Sequence, residues 1–151
     1  MSAELYEVIN DFIETLMDLA SNISILAPGT IISDNITRIN DFMKNLKEED
    51  KKKVMEIFVT NVYSNYKKII YDRNDTFFLN RPKSELVDTI TNNVGDKING
   101  YESYIDKIFD LKDVWVKLSK ENQNVIFDYL IILCELSESY IEIEYPELLK
   151  N

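Results

Sequence analysis

Carboxylates dominate the groups in this chain that can do chemistry: 27 Asp and Glu stand against 17 Lys and Arg, with no histidine and one cysteine in 151 residues. Two converging carboxylates suffice for hydrolytic acid–base work or for holding magnesium. The acids here recur on the outer positions of amphipathic repeats, where hydration alone accounts for them. Without histidine there is no Ser-His or Cys-His nucleophile, no imidazole acid or base and no His-containing metal site. Cys134 lies in the apolar run Tyr129–Leu136 and is alone, so it forms neither an internal disulfide nor a Cys-rich metal site. It is expected to be an inert buried thiol, which fits a reducing, intracellular location. Gly29, Gly95 and Gly100 stand too far apart to cradle a phosphate. Asp72-Arg73-Asn74-Asp75 begins like a calcium loop but lacks its glycine and closing glutamate. Asn22-Ile23-Ser24, Asn35-Ile36-Thr37 and Asn74-Asp75-Thr76 match the glycosylation triplet, as chance predicts in a chain with 15 Asn. The expectation is a non-enzyme with no cofactor and no metal.

Charge is the remaining source of specificity, and it is segregated. Residues 1–50 carry 10 acids and 3 bases, and residues 84–151 carry 14 acids and 6 bases. Between them, residues 51–83 hold 3 acids and 8 bases: Lys51, Lys52, Lys53, Lys67, Lys68, Arg73, Arg81 and Lys83. These bases alternate with Tyr63, Tyr66, Tyr71, Phe77 and Phe78, a mixture that suits phosphates on the cations and bases stacked on the rings. A net charge of −10 repels a polyanion at long range, so docking to an acidic protein, another copy included, ranks above nucleic acid. A solvated helix surface accounts for the same residues.

The opposite sign runs along the C-terminal segment. At about 100° per residue, Asp128, Glu135 and Glu142 share a helix stripe, with Glu121 and Glu138 nearby, and no base interrupts it up to Tyr145. Ile131 and Ile132 project beside that stripe rather than onto the face of Ile126, Tyr129, Leu130, Leu133, Leu136 and Tyr140. An apolar pair in an acidic rim suits a partner with a basic margin. The competing reading is a central helix covered on both sides.

The elements that must position these residues are helical. The content is 45% hydrophobic with three Gly and three Pro, enough for one folded domain but short of the tight turns of a β fold. Apolar spacing predicts a helix over residues 4–22, ended by Ala27-Pro28-Gly29. A second follows with Ser33 or Asp34 as cap and Ile36, Ile39, Met43 and Leu46 inward. A third spans about residues 50–71 on Val54, Phe58, Val62, Tyr66 and Ile69. Residues 72–82 read as a loop whose Phe77-Phe78-Leu79 dock on the core. Helices over about 84–94 and 96–110 come next, then a short turn with Trp115 and Leu118, and the long apolar helix from Ser119. One all-α domain of five to seven helices, spanning residues 1–151, is expected. The first twenty residues hold five acids and no basic cluster, so no signal peptide is expected, and no apolar run reaches the roughly 18 residues of a membrane span.

The segment Ile108–Ser119, IFDLKDVWVKLS, followed by Glu121-Asn122 and by Ile126–Leu133, IFDYLIIL, resembles a Trp-x-x-Leu, Glu-Asn, Ile-x-x-Tyr-Leu-x-x-Leu pattern. That pattern belongs to small uncharacterised helical proteins of nucleocytoplasmic large DNA viruses, the giant-virus group. Leu26–Ile32 and Phe77–Asn80 are weaker echoes, and the resemblance covers a quarter to a third of the chain. It implies a viral protein in the host cytoplasm or viral factory, or packaged in the virion, and it brings no catalytic residue. The 20 Ile and 15 Asn against 3 Ala agree with A+T-rich coding. An interaction or assembly protein is the function expected, with a nucleic-acid-associated factor using residues 51–83 as the alternative.

Overall fold

The structure is a computed structural model that describes residues 2–79 and 110–149. Helix α1 (Ala3–Leu26) starts where the Ser2 hydroxyl accepts the Leu5 amide at 3.1 Å. Leu5, Ile9, Phe12, Ile13, Leu16, Leu19, Ala20 and Ile23, at helical spacing, are all buried along it. It stops at Ala27, and Gly29 takes φ +86°, the left-handed value that a glycine adopts without steric cost.

Helix α2 (Ile31–Lys44) is capped by Thr30, not by Ser33 or Asp34. The Thr30 hydroxyl accepts the Ser33 amide at 3.3 Å, and the Ser33 hydroxyl in turn accepts the Gly29 amide at 3.3 Å. Core burial of Ile32 draws it into the first turn and moves the cap upstream. Helix α3 (Glu48–Phe58) begins with Glu48, Glu49 and Asp50 at its positive end and runs into a π-helical turn (Val59–Tyr63) and then helix α4 (Ser64–Tyr71). The expected third helix is therefore present, starting two residues earlier and widened in its middle by the π turn.

After α4 the chain turns through a Schellman motif. The Asn74 amide donates to the Ile69 carbonyl at 2.8 Å and the Arg73 amide to the Ile70 carbonyl at 3.0 Å, with Arg73 at φ 54°. Asn74 then accepts from the Thr76 amide at 2.9 Å and starts a single turn, α5 (Thr76–Leu79), in the stretch expected to be loop. Phe77 and Phe78 are buried there, as the sequence indicates. The helices expected over 84–94 and 96–110 lie outside the described residues, as do Arg81 and Lys83.

The turn α6 (Lys112–Trp115) delivers Trp115 onto Phe78, stacked at 4.0 Å between centroids, with Phe127 edge-on at 5.5 Å. Ser119 caps α7 (Lys120–Glu144) by accepting the Asn122 amide at 3.1 Å, and a short 3-10 turn (Pro146–Leu149) follows. Helix α7 packs along α1 and, at other points, against α4 and the π turn. The fold is all-α, one domain closed by a long apolar helix, and no strand occurs among the described residues. No helix among them is long and apolar enough to cross a membrane.

Candidate functional site

Packing settles which faces of α7 look inward. Ile126, Leu130, Leu133 and Tyr140 are buried as expected, and Phe127, Cys134, Ser137 and Ile141 are buried as well, which widens the inward face on one side. Tyr129 is half-buried and its hydroxyl accepts from the Asn22 amide group at 2.8 Å, which pins α7 to α1. Asp128, Ile132, Glu135 and Glu142 form the uncovered stripe. Ile132 keeps 45% of its surface in solvent, in the middle of a helix whose other large apolar side chains are buried or half-buried. Ile131, one residue earlier, is half-buried against the core and supplies at most an edge to the stripe.

The basic segment is distributed differently from a continuous patch. Lys51 bonds Glu48 at 3.1 Å and Asn10 at 2.9 Å, and Lys53 reaches Asp50 at 3.6 Å. Lys52 crosses to Glu144 of α7 at 3.3 Å. Arg73, turned outward by its left-handed backbone, gives one guanidinium nitrogen to Asp128 and another to the Asn124 carbonyl at 3.1 Å. Two of the opposite-charge contacts that the sequence suggests between copies are thus made within one chain. Partly exposed pairs of this kind are worth about 0–1 kcal/mol each, so they trim the patch more than they stabilise the fold. Lys67 and Lys68 remain exposed on α4, with the Lys67 ammonium 5.2 Å from the Tyr63 ring centroid.

Beneath the stripe lies a set of weakly acidic groups with no role foreseen in the sequence. The Tyr63 hydroxyl donates to Glu138 at 3.0 Å. Burial first, then that carboxylate, pushes the phenol up to about 12, and burial with Glu138 and Glu135 pushes the Cys134 thiol up to about 12. The same causes raise Tyr71. The inert thiol expected from the sequence has this physical basis: at neutral pH Cys134 is buried and protonated. A raised folded-state pKa contributes stability that is complete below the ordinary phenol value near 10 and is lost as pH climbs through the folded value. The chain is therefore expected to lose stability from about pH 9, where the thiol ordinarily ionises, and further between about pH 10 and 12 with the phenol. Absorbance at 295 nm with circular dichroism follows both events, and Tyr63→Phe should remove one tyrosine from the late-ionising group. Ionisation of all nine tyrosines near pH 10 with the fold intact would refute it.

Sequence reasoning missed a concavity on the buried side of α7. It lies between the π turn and the end of α7, bounded by Glu56, Val59, Tyr140, Ile141, Tyr145 and Leu148, with a volume near 260 Å³. A π turn leaves no residue signature, since its apolar positions read as an ordinary helix until neighbours impose the bulge. Among the described residues no group of His, Cys, Asp and Glu is placed to hold a metal ion. The calcium-like tetrad serves instead as the α4 cap, with the Asn74 side chain bonded to Thr76.

No protein-family description, curated protein or solved structure matches this chain.

Proposed function

We propose that the chain is a non-enzymatic interaction or assembly protein that docks a partner through the outward stripe of α7. The observation that carries this reading is the 45% exposure of Ile132 between the exposed acids Asp128, Glu135 and Glu142. Covering the exposed 45% of Ile132 is worth about 1 kcal/mol, so a partner surface has an apolar contact to win there. The rim selects the partner. Its carboxylates favour a surface margined by lysine or arginine, whereas a second copy with net charge −10 meets long-range repulsion. On the resemblance of residues 108–133, the protein is read as that of a large DNA virus, acting in the host cytoplasm or viral factory or carried in the virion.

Placing a photo-crosslinking phenylalanine analogue at position 132 tests this in producing cells. Discrete adducts are expected there, and they should fade when Glu135 and Glu142 are both changed to lysine. The same analogue at Val116, which is 71% exposed but has no acidic rim of this kind, should give none. Identical adduct patterns at the two positions would sink the reading.

The exposed Lys67 and Lys68 support the alternative, a nucleic-acid-associated factor. Binding of a labelled oligonucleotide at low salt, falling steeply as salt rises and lost on Lys67→Glu with Lys68→Glu, would move the function to that class. No binding at low salt removes it.

A further inference from the structure

We propose that the concavity at the π turn is a binding pocket for an alkyl cation, an apolar chain ending in an ammonium or guanidinium group. The pocket faces the covered side of α7, away from Ile132, so the inference stands independently of the interaction surface. Its shape follows from the π turn: the Ser64 amide and hydroxyl both donate to the Val59 carbonyl, the hydroxyl at 2.8 Å, five residues back rather than four. Beside the turn, about 260 Å³ lies between Val59 on one wall and Ile141 and Leu148 on the other. Those walls suit an aliphatic stem.

The charge in the lining decides what the stem must end in. Glu56 is fixed there because its Oε1 accepts the Tyr140 hydroxyl at 2.7 Å, and no ion pair to Glu56 occurs among the described residues. Helix α7, 25 residues long, ends beside Glu56 with Glu144 and no basic side chain in its last turn, Glu142 belonging to the outer stripe. Its partial negative charge adds to theirs. Lys52 offsets one of these acids, Glu144. The Tyr145 ring, 39% exposed, borders the same space and attracts a cation, while the fully buried Tyr140 ring supports it at 6.2 Å between centroids. An anion would meet Glu56 directly, and a neutral chain would strip water from the carboxylate without replacing it. Only a cation gains on all three counts. The chemistry is shared by a free amine and by a lysine or arginine side chain of another protein.

Nitrogen-15 NMR of the full chain separates these outcomes. Hexylammonium is expected to shift the amides of Val59–Tyr63 and of the α7 end saturably, hexanoate not at all, and hexanol with affinity about tenfold or more weaker. Glu56→Gln, which keeps a hydrogen-bond acceptor for Tyr140, should weaken hexylammonium about tenfold. Should that variant fail to fold, Leu148→Ala, at a side chain 63% exposed, shortens the stem wall and should also weaken it. Tighter binding of blocked Gly-Lys-Gly than of hexylammonium assigns the pocket to a basic side chain, and the reverse assigns it to a free amine. Equal binding of hexanol and hexylammonium, no effect of either variant, or shifts confined to the outer acidic stripe of α7 would overturn the proposal.

Discussion

Trp115→Ala is expected to cost about 3–5 kcal/mol, a large part of the roughly 7–20 kcal/mol that a domain of this size holds. The side chain is fully buried, lies flat on Phe78 at 4.0 Å and meets the Phe127 edge at 5.5 Å. Phe78 in turn touches Phe77, whose ring meets Tyr66 of α4 at 5.5 Å. One truncation therefore opens a cavity at the point where α4, α5, α6 and α7 are joined, and the surrounding turns are too short to collapse into it. Trp115→Phe should cost distinctly less, about 1–2 kcal/mol. It keeps an aromatic stack and removes an indole N–H that is buried without a hydrogen-bond partner among the described residues. Urea unfolding followed by far-ultraviolet circular dichroism measures both, since the variants lose the single tryptophan's fluorescence. Equal costs for Ala and Phe would show that the cluster does not hold the turns in place.

The second large effect separates two neighbours on α7. Leu133→Asp should abolish folding, because it places a carboxylate at a position with no solvent exposure, a cost of more than about 4 kcal/mol. Ile132→Asp, one residue earlier and 45% exposed, should change stability by no more than about 1 kcal/mol. That residual cost comes from repulsion with Asp128 four residues back and from the lower helix propensity of Asp. The pair also controls the interaction test: a partner lost on Ile132→Asp in a chain that still melts cooperatively is lost at the surface. Comparable destabilisation by both would mean that position 132 is covered, and the docking stripe would be withdrawn.

Much of this fold is legible from spacing alone. The eight buried residues of α1 recur every three or four positions, Ser119 stands directly before an apolar run, and Phe77-Phe78 interrupts a polar stretch where water would oppose exposure. Each signal is local, carried by residues a turn apart. Sequence placed the second cap at Ser33 or Asp34, capping residue types just ahead of the apolar series Ile36, Ile39, Met43 and Leu46. The burial of Ile32, a tertiary fact, puts Thr30 there instead. Residues 72–82 were expected to be loop, and a helical turn forms at Thr76–Leu79 because the aromatic cluster beneath it pays the ordering entropy of so short a segment.

The candidate sites divide along the same line. That Ile132 points away from the main apolar face follows from helix geometry, and so does the acidic character of its rim. The fate of the basic segment did not follow: Arg73 meets Asp128 across 55 residues and Lys52 meets Glu144 across 92. The Glu56–Tyr140 bond spans 84. By itself, then, the sequence determined an all-α domain, its inward stripes, and the absence of histidine chemistry. These depend on residue type and on a 3.6-residue period that every helix shares. Tertiary structure alone decided which charges neutralise one another, where the π turn opens a cavity, and which isoleucine stays in water. Those outcomes depend on how distant segments pack, and no local period encodes that packing.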